Sequence, residues 1–188
     1  RGTYILNSKD LCMLRYIPQL AEAGINSVKI EGRMKSVFYV ACVVGAYRKA
    51  LDAYYEDPKG YKFDENWFAE MTKASHREFT TGFYFDKPTN EDQKYQTSAY
   101  NRDYSFTGMV KDYDENTGIA VVEQRNKMVT GDEIEVFGPG MDSFTQILEE
   151  MRDEEDNPVD SAPHPQQILK IKMKRPAARN YMLRKKKG

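Results

Sequence analysis

Between Val37 and Tyr54 the apolar residues Val37, Val40, Val44, Tyr47, Leu51 and Tyr54 recur at alternating steps of three and four. That spacing follows the turn of an α-helix and predicts an amphipathic helix over residues 35–55. Upstream, Asn7 or Ser8 can cap a helix with Asp10 in its first turn, where the helix dipole favours an acid. Pro18 kinks or restarts that helix and Gly24 ends it. Ile25, Val28 and Ile30, with Lys29 and Glu31 between them, then predict a short strand that Gly32 breaks. After the turn cluster Asp57-Pro58-Lys59-Gly60, Asp64 caps a second short helix carrying Trp67, Phe68 and Met71.

Beyond Tyr104 the pattern changes to short apolar runs between turns. Residues 106–113 and 119–123 flank Asp114-Glu115-Asn116-Thr117-Gly118, which is a hairpin signature. Residues 134–137, 144–151 and 168–173 read as further strands. About six strands at this spacing predict a small all-β barrel or sandwich over residues 104–188. Residues 87–103 are polar, contain Pro88 and Asn90 and hold no period, so they read as a linker after a first domain of residues 1–86. The chain opens without Met, directly on the strand-like Tyr4-Ile5-Leu6, and reads as a piece of something longer.

With 188 residues, 40% of them hydrophobic, the chain can bury a real core. Lys and Arg number 28 against 29 Asp and Glu, which excludes the global positive field of a dedicated nucleic-acid binder. Two cysteines are too few for a disulfide framework and fit a reducing, cytoplasmic setting. No apolar run approaches the roughly 20 residues that cross a bilayer.

Candidate chemistry is sparse. Glu31, Arg33 and Lys35 stand where a strand passes into a long helix, the end at which α/β barrels build active sites. Glu31 suits an acid, base or metal ligand, and Arg33 and Lys35 suit a carboxylate or phosphate. An ordinary structural ion pair accounts for the same spacing. Cys12 and Cys42 lack a CxxC or a neighbouring His, and neither makes a metal or nucleophile site by itself. Ser75, His76 and Glu78 tempt a hydrolase reading, but triad members normally lie far apart in the chain. His164 sits rigidly between Pro163 and Pro165. The basic C-terminal stretch, with Lys172, Lys174, Arg175, Arg184 and Lys185, reads as a solvated tail or as a set of RNA-phosphate contacts. In the second case Phe106, Tyr113 and Phe137 are available for base stacking.

Four stretches together resemble the collagenase-like peptidase family U-32. They are residues 4–13 (YILNSKDLCM), residues 28–36 (VKIEGRMKS) followed by Tyr47-Arg48-Lys49-Ala50, Ser75-His76-Arg77 with Thr80-Thr81-Gly82-Phe83-Tyr84, and Ala162-Pro163-His164-Pro165-Gln166-Gln167. The resemblance implies an α+β chain, the terminal βα unit of an incomplete TIM-like barrel followed by a β-barrel domain. It also implies that Cys12 is the fourth cysteine ligand of an iron–sulfur cluster whose other three lie upstream. No cofactor is expected in this stretch alone. The family carries a peptidase or collagenase label, and several members resemble factors that hydroxylate the wobble uridine of tRNA. The leading expectation is a peptidase of this family acting on protein or collagen-like peptide, with the β-domain assisting recognition of the macromolecular substrate. One alternative is part of a factor that hydroxylates the wobble uridine of tRNA; another is a structural module that forms a homodimer through an orphaned face of the long helix.

Overall fold

A computed structural model describes residues 8–74, 76–89, 92 and 103–187. The predicted strand at Tyr4-Ile5-Leu6, the cap at Asn7, Ser75 and most of the predicted linker (90–91 and 93–102) lie outside these residues. The chain divides into two compact units, Arg1–Arg102 and Asp103–Gly188.

The first unit is mainly helical. Its opening stretch is a strand where a helix was expected: β1 (Asp10–Leu11) pairs in parallel with β2 (Phe79–Thr80). The reason is local hydrogen bonding. Asp10 N–H donates to the Glu78 carbonyl at 2.8 Å and Cys12 N–H to the Thr80 carbonyl at 2.9 Å, while the Asp10 carboxylate accepts from Arg77 N–H at 3.0 Å. Helix begins only after Met13, with a 3-10 turn at Leu14–Tyr16 leading into α1 (Ile17–Glu22). Pro18 lies in the first turn of α1, where a missing N–H costs nothing, so it starts the helix rather than kinking it.

Residues 28–31, expected as a strand, run without one. A strand needs a neighbour to take its N–H and C=O groups, and no described segment pairs with this one. The long helix α2 (Val37–Glu56) is capped by Ser36, whose hydroxyl accepts from Tyr39 N–H at 3.2 Å. It buries a different stripe from the one the spacing marked: Phe38, Cys42, Val43, Ala46 and Ala50 face inward, whereas Val37, Val40 and Val44 are exposed. The small residues at 42, 46 and 50 let α2 sit close to its neighbours. Tyr47, Leu51 and Tyr54 pack at the margin of that core, together with Trp67 and Phe68 of α3 (Glu65–Thr72).

The second unit is a curled antiparallel half-barrel of seven strands in the order β7-β6-β11-β3-β4-β10-β8. Its members are β3 (Tyr104–Asp114), β4 (Ile119–Gln124), β6 (Glu133–Phe137), β7 (Phe144–Ile147), β8 (Met151–Arg152), β10 (Ile168–Lys172) and β11 (Met182–Lys186). The short strands β5 (Met128–Val129) and β9 (Ser161–Ala162) pair separately. The β3–β4 turn follows its sequence: Asp114 accepts from Asn116 N–H at 2.9 Å and from the Thr117 hydroxyl at 2.7 Å, and Gly118 takes φ +67°. Alternation in β4 sends Ala120, Val122 and Gln124 inward, and Val110, Ile134, Val136, Leu169, Ile171 and Leu183 close the core.

Two expectations change here. The run 144–151 is not one strand: the chain turns at Leu148, whose N–H donates to the Asp132 carbonyl at 2.9 Å and whose carbonyl accepts from Gly131. Its halves join opposite edges of the sheet. The basic stretch at 182–186 is not a tail. It is β11, lying between β6 and β3. Among the described residues no helix is long and apolar enough to cross a membrane.

Candidate functional site

Glu31, Arg33 and Lys35 share the turn that leads into α2. The Glu31 carboxylate accepts from Arg33 N–H at 2.9 Å, and Lys35 N–H donates to the Gly32 carbonyl at 2.9 Å. Their charged ends diverge. Glu31 and Arg33 are exposed, whereas the Lys35 ammonium lies 3.8 Å from an Asp10 oxygen and 4.8 Å from the centre of the Tyr39 ring. The partner that sequence reading missed is Asp10, which serves Lys35 and the Arg77 N–H together.

A cleft of about 170 Å³ opens beside Cys12, with Arg15, Tyr16, Phe68 and Phe79 among its walls. The Arg15 guanidinium lies over the Phe63 and Phe68 rings and forms a two-point pair with Glu65. The Cys12 sulfur lies 3.9 Å from both the Met71 sulfur and the Tyr47 hydroxyl, and the Met13 N–H donates to that hydroxyl at 2.9 Å. Burial pushes the Cys12 thiol above its ordinary pKa, with hydrogen bonds from the Leu14 backbone and Tyr47 pulling the other way. Tyr47 is raised as well, again chiefly by burial. Cys42 is buried in α2. Among the described residues no three His, Cys, Asp or Glu side chains gather to hold a metal.

His76 is held as a structural residue. Its Nδ1 lies 2.8 Å from the Ala74 carbonyl, and its ring stacks on Phe79 at 4.9 Å and 3°. His164 is exposed in the turn before β10.

The basic set of the second unit is dispersed. Arg184 is fully buried: it grips Glu135 through two bonds of 3.0 and 2.8 Å, with the Phe137 ring 4.3 Å away and Tyr104 5.6 Å away. It is closed to a phosphate, and Phe137 stacks on it rather than on a base. Lys185 pairs with Asp132 at 2.6 Å. Lys172 donates to the Thr117 carbonyl across the sheet. Lys174 and Arg175 remain exposed, Arg175 lying 5.3 Å over Phe144. Tyr113 packs on the core.

Residues 1–94 match the family model described as Peptidase family U32, and residues 102–184 match the Peptidase family U32 C-terminal domain. The chain belongs to peptidase family U32. Within U32 it is 41% identical over 184 residues to tRNA hydroxylation protein P1 of Bacillus subtilis, covering 98% of this chain and 44% of that protein. It is 29% identical over 150 residues to a collagenase of Porphyromonas gingivalis, covering 79% of this chain and 42% of the collagenase. The chain thus spans less than half the length of either relative. The solved C-terminal domain of a Geobacillus thermoleovorans U32 peptidase is 51% identical, with a TM-score of 0.42, covering 43% of this chain and 99% of that domain.

Proposed function

We propose that this chain serves, with the remainder of a U32 protein, in tRNA hydroxylation, and that its β-domain helps to hold the RNA. One observation carries the reading: 41% identity along 98% of the chain to a protein named for tRNA hydroxylation. The geometry of the first unit supports it, since His76 is committed to a carbonyl and an aromatic stack and does not suit a hydrolytic base. In this reading Glu31, Arg33 and Lys35 supply polar groups near the reacting centre of the longer protein. Cys12 contributes one thiolate to an iron–sulfur cluster whose other ligands lie outside this chain. A tRNA substrate also implies a cytoplasmic setting.

A second reading, cleavage of protein or collagen-like peptide, draws support from the 29% identity to the collagenase. The two separate in one experiment on the full-length protein. Cells lacking the gene are compared with complemented cells by mass spectrometry of tRNA nucleosides, and the purified protein is assayed on gelatin. Loss of a hydroxylated nucleoside, with no gelatin cleavage, is expected. Unchanged nucleosides together with cleavage would overturn the first reading in favour of the second.

A further inference from the structure

The turn between β9 and β10 carries a backbone outlier. Gln167 N–H donates to the His164 carbonyl at 3.2 Å, which closes a β-turn with Pro165 in its second position and Gln166, at φ +63°, in its third. A left-handed third position after proline is where glycine ordinarily stands, because a Cβ is disfavoured there. The other described non-glycine residues at positive φ are Asp156 and Asn180, types that tolerate it. Gln166 is not such a type. A strained residue persists where its surroundings over-determine it, and such residues gather at functional sites.

The surroundings of Gln166 are built to hold it. Its N–H donates to the Gln124 carbonyl at 3.1 Å, and Gln124 N–H donates to the Gln167 carbonyl at 2.9 Å. The Gln124 side chain, 1% exposed, donates to the Ala162 carbonyl at 2.9 Å. The next loop is fixed to the same strand end. Arg125 and Asn126 N–H both donate to the Thr107 carbonyl, and the Asn126 amide to the Phe106 carbonyl at 2.6 Å. Rigid backbone therefore presents the exposed side chains of His164, Gln166, Arg125 and Lys127 from two adjoining loops. Glu123, beside them on β4, pairs with Arg125 and, at 3.1 Å, with Lys111.

We propose that Gln166 is a base-reading residue: its amide hydrogen-bonds the edge of an unpaired RNA base while Lys127 meets a phosphate beside it. A primary amide offers a donor and an acceptor in one plane, the pattern that pairs with a base edge. A lysine adds charge without sequence preference. This inference rests on the tRNA reading and names the surface that serves it.

The test uses the full-length protein and an unmodified tRNA transcript, followed by fluorescence anisotropy. Gln166→Gly is expected to leave the Tm unchanged or raised, because the strain is relieved, while affinity falls on the order of 5- to 150-fold, the discrimination of one good two-point base contact. Lys127→Ala is expected to weaken binding and lower the salt slope by about 0.7 to 0.9. If the wild type binds tRNA and Gln166→Gly binds within about twofold of it, the inference falls while the tRNA reading stands. If the wild type binds no tRNA, both fall. If Gln166→Gly instead abolishes binding of a collagen-like peptide, the surface reads protein and the inference is overturned.

Discussion

Arg184 of β11 stands directly across from Glu135 of β6 and holds its carboxylate through two hydrogen bonds. The arginine is completely buried and the Glu135 side chain is 14% exposed. Removing one member leaves an uncompensated buried charge, which costs about 3–5 kcal/mol. Arg184→Ala is therefore expected to lower the urea midpoint by that stability, while Arg184→Met combined with Glu135→Leu recovers most of it. Equal destabilisation by the single and double variants would show that the pair is not the source.

A second expectation concerns packing beside β11. A Cβ placed on Gly138 would overlap a carbon of the Tyr181 ring, which packs on the core of the second unit. The overlap falls on the ring itself and not on the far end of a flexible chain, so Gly138→Ala is expected to cost about 1–3 kcal/mol by thermal unfolding. Adding Tyr181→Ala should shrink the increment from the alanine at 138. An additive pair would mean that the clash is relieved elsewhere.

His76 is expected to matter for stability and not for turnover. Its carbonyl hydrogen bond and its stack on Phe79 are each worth about 0.5–1.5 kcal/mol. His76→Phe should retain the stack, lose the bond and leave the tRNA hydroxylation proposed for the full-length protein intact at a temperature well below its Tm. A loss of turnover without a drop in Tm would assign the residue a chemical role.

In this chain without a cluster bound, Cys12 sets an alkaline limit. Its thiol is raised in the folded state, chiefly by burial, so the neutral form is favoured there. A group raised on folding contributes stability that is full below its unfolded pKa and lost as pH rises through the folded value. Stability should therefore decline in the alkaline range, and Cys12→Ala should flatten part of that decline. Alkylation by iodoacetamide should also be slower in the native chain than in the chain unfolded in urea, at the same pH.

Acid acts in the opposite direction at the β3–β4 turn. The Thr117 hydroxyl and the Asn116 N–H hold the exposed Asp114 carboxyl below its usual range. Its contribution is present above the unfolded pKa and disappears as pH falls through the lowered folded value. Unfolding titrations from pH 6 downward, on the wild type and Asp114→Ala, should converge toward low pH. Parallel curves would exclude the role.

Elements whose residues make their own local hydrogen bonds were legible in the sequence. The Asp64 cap, the Asp114–Gly118 turn and the strands read at 119–123 and 168–173 follow from side chains acting on neighbours a few positions away. What failed depended on distant partners. β11 carries three consecutive buried residues, Met182, Leu183 and Arg184, because a bulge against β3 between Leu183 and Arg184 breaks its alternation. With Lys185 and Lys186 following, the segment presents charge where a strand should present apolar residues. The candidate site shows the same division. Pro163 and Pro165 marked a rigid turn, but nothing in the residue types announced the left-handed backbone at Gln166.

Hydrophobic period and turn chemistry are local properties, and they suffice to place helices first and short antiparallel strands after. Which charges are available is fixed by strand pairing, a long-range property. Arg184 and Lys185 read as surface cations until Glu135 and Asp132 are brought opposite them. Whether a charged side chain faces water or a counter-ion depends on which strand lies next to it, and that neighbour lies 49 residues away for Arg184 and 53 for Lys185.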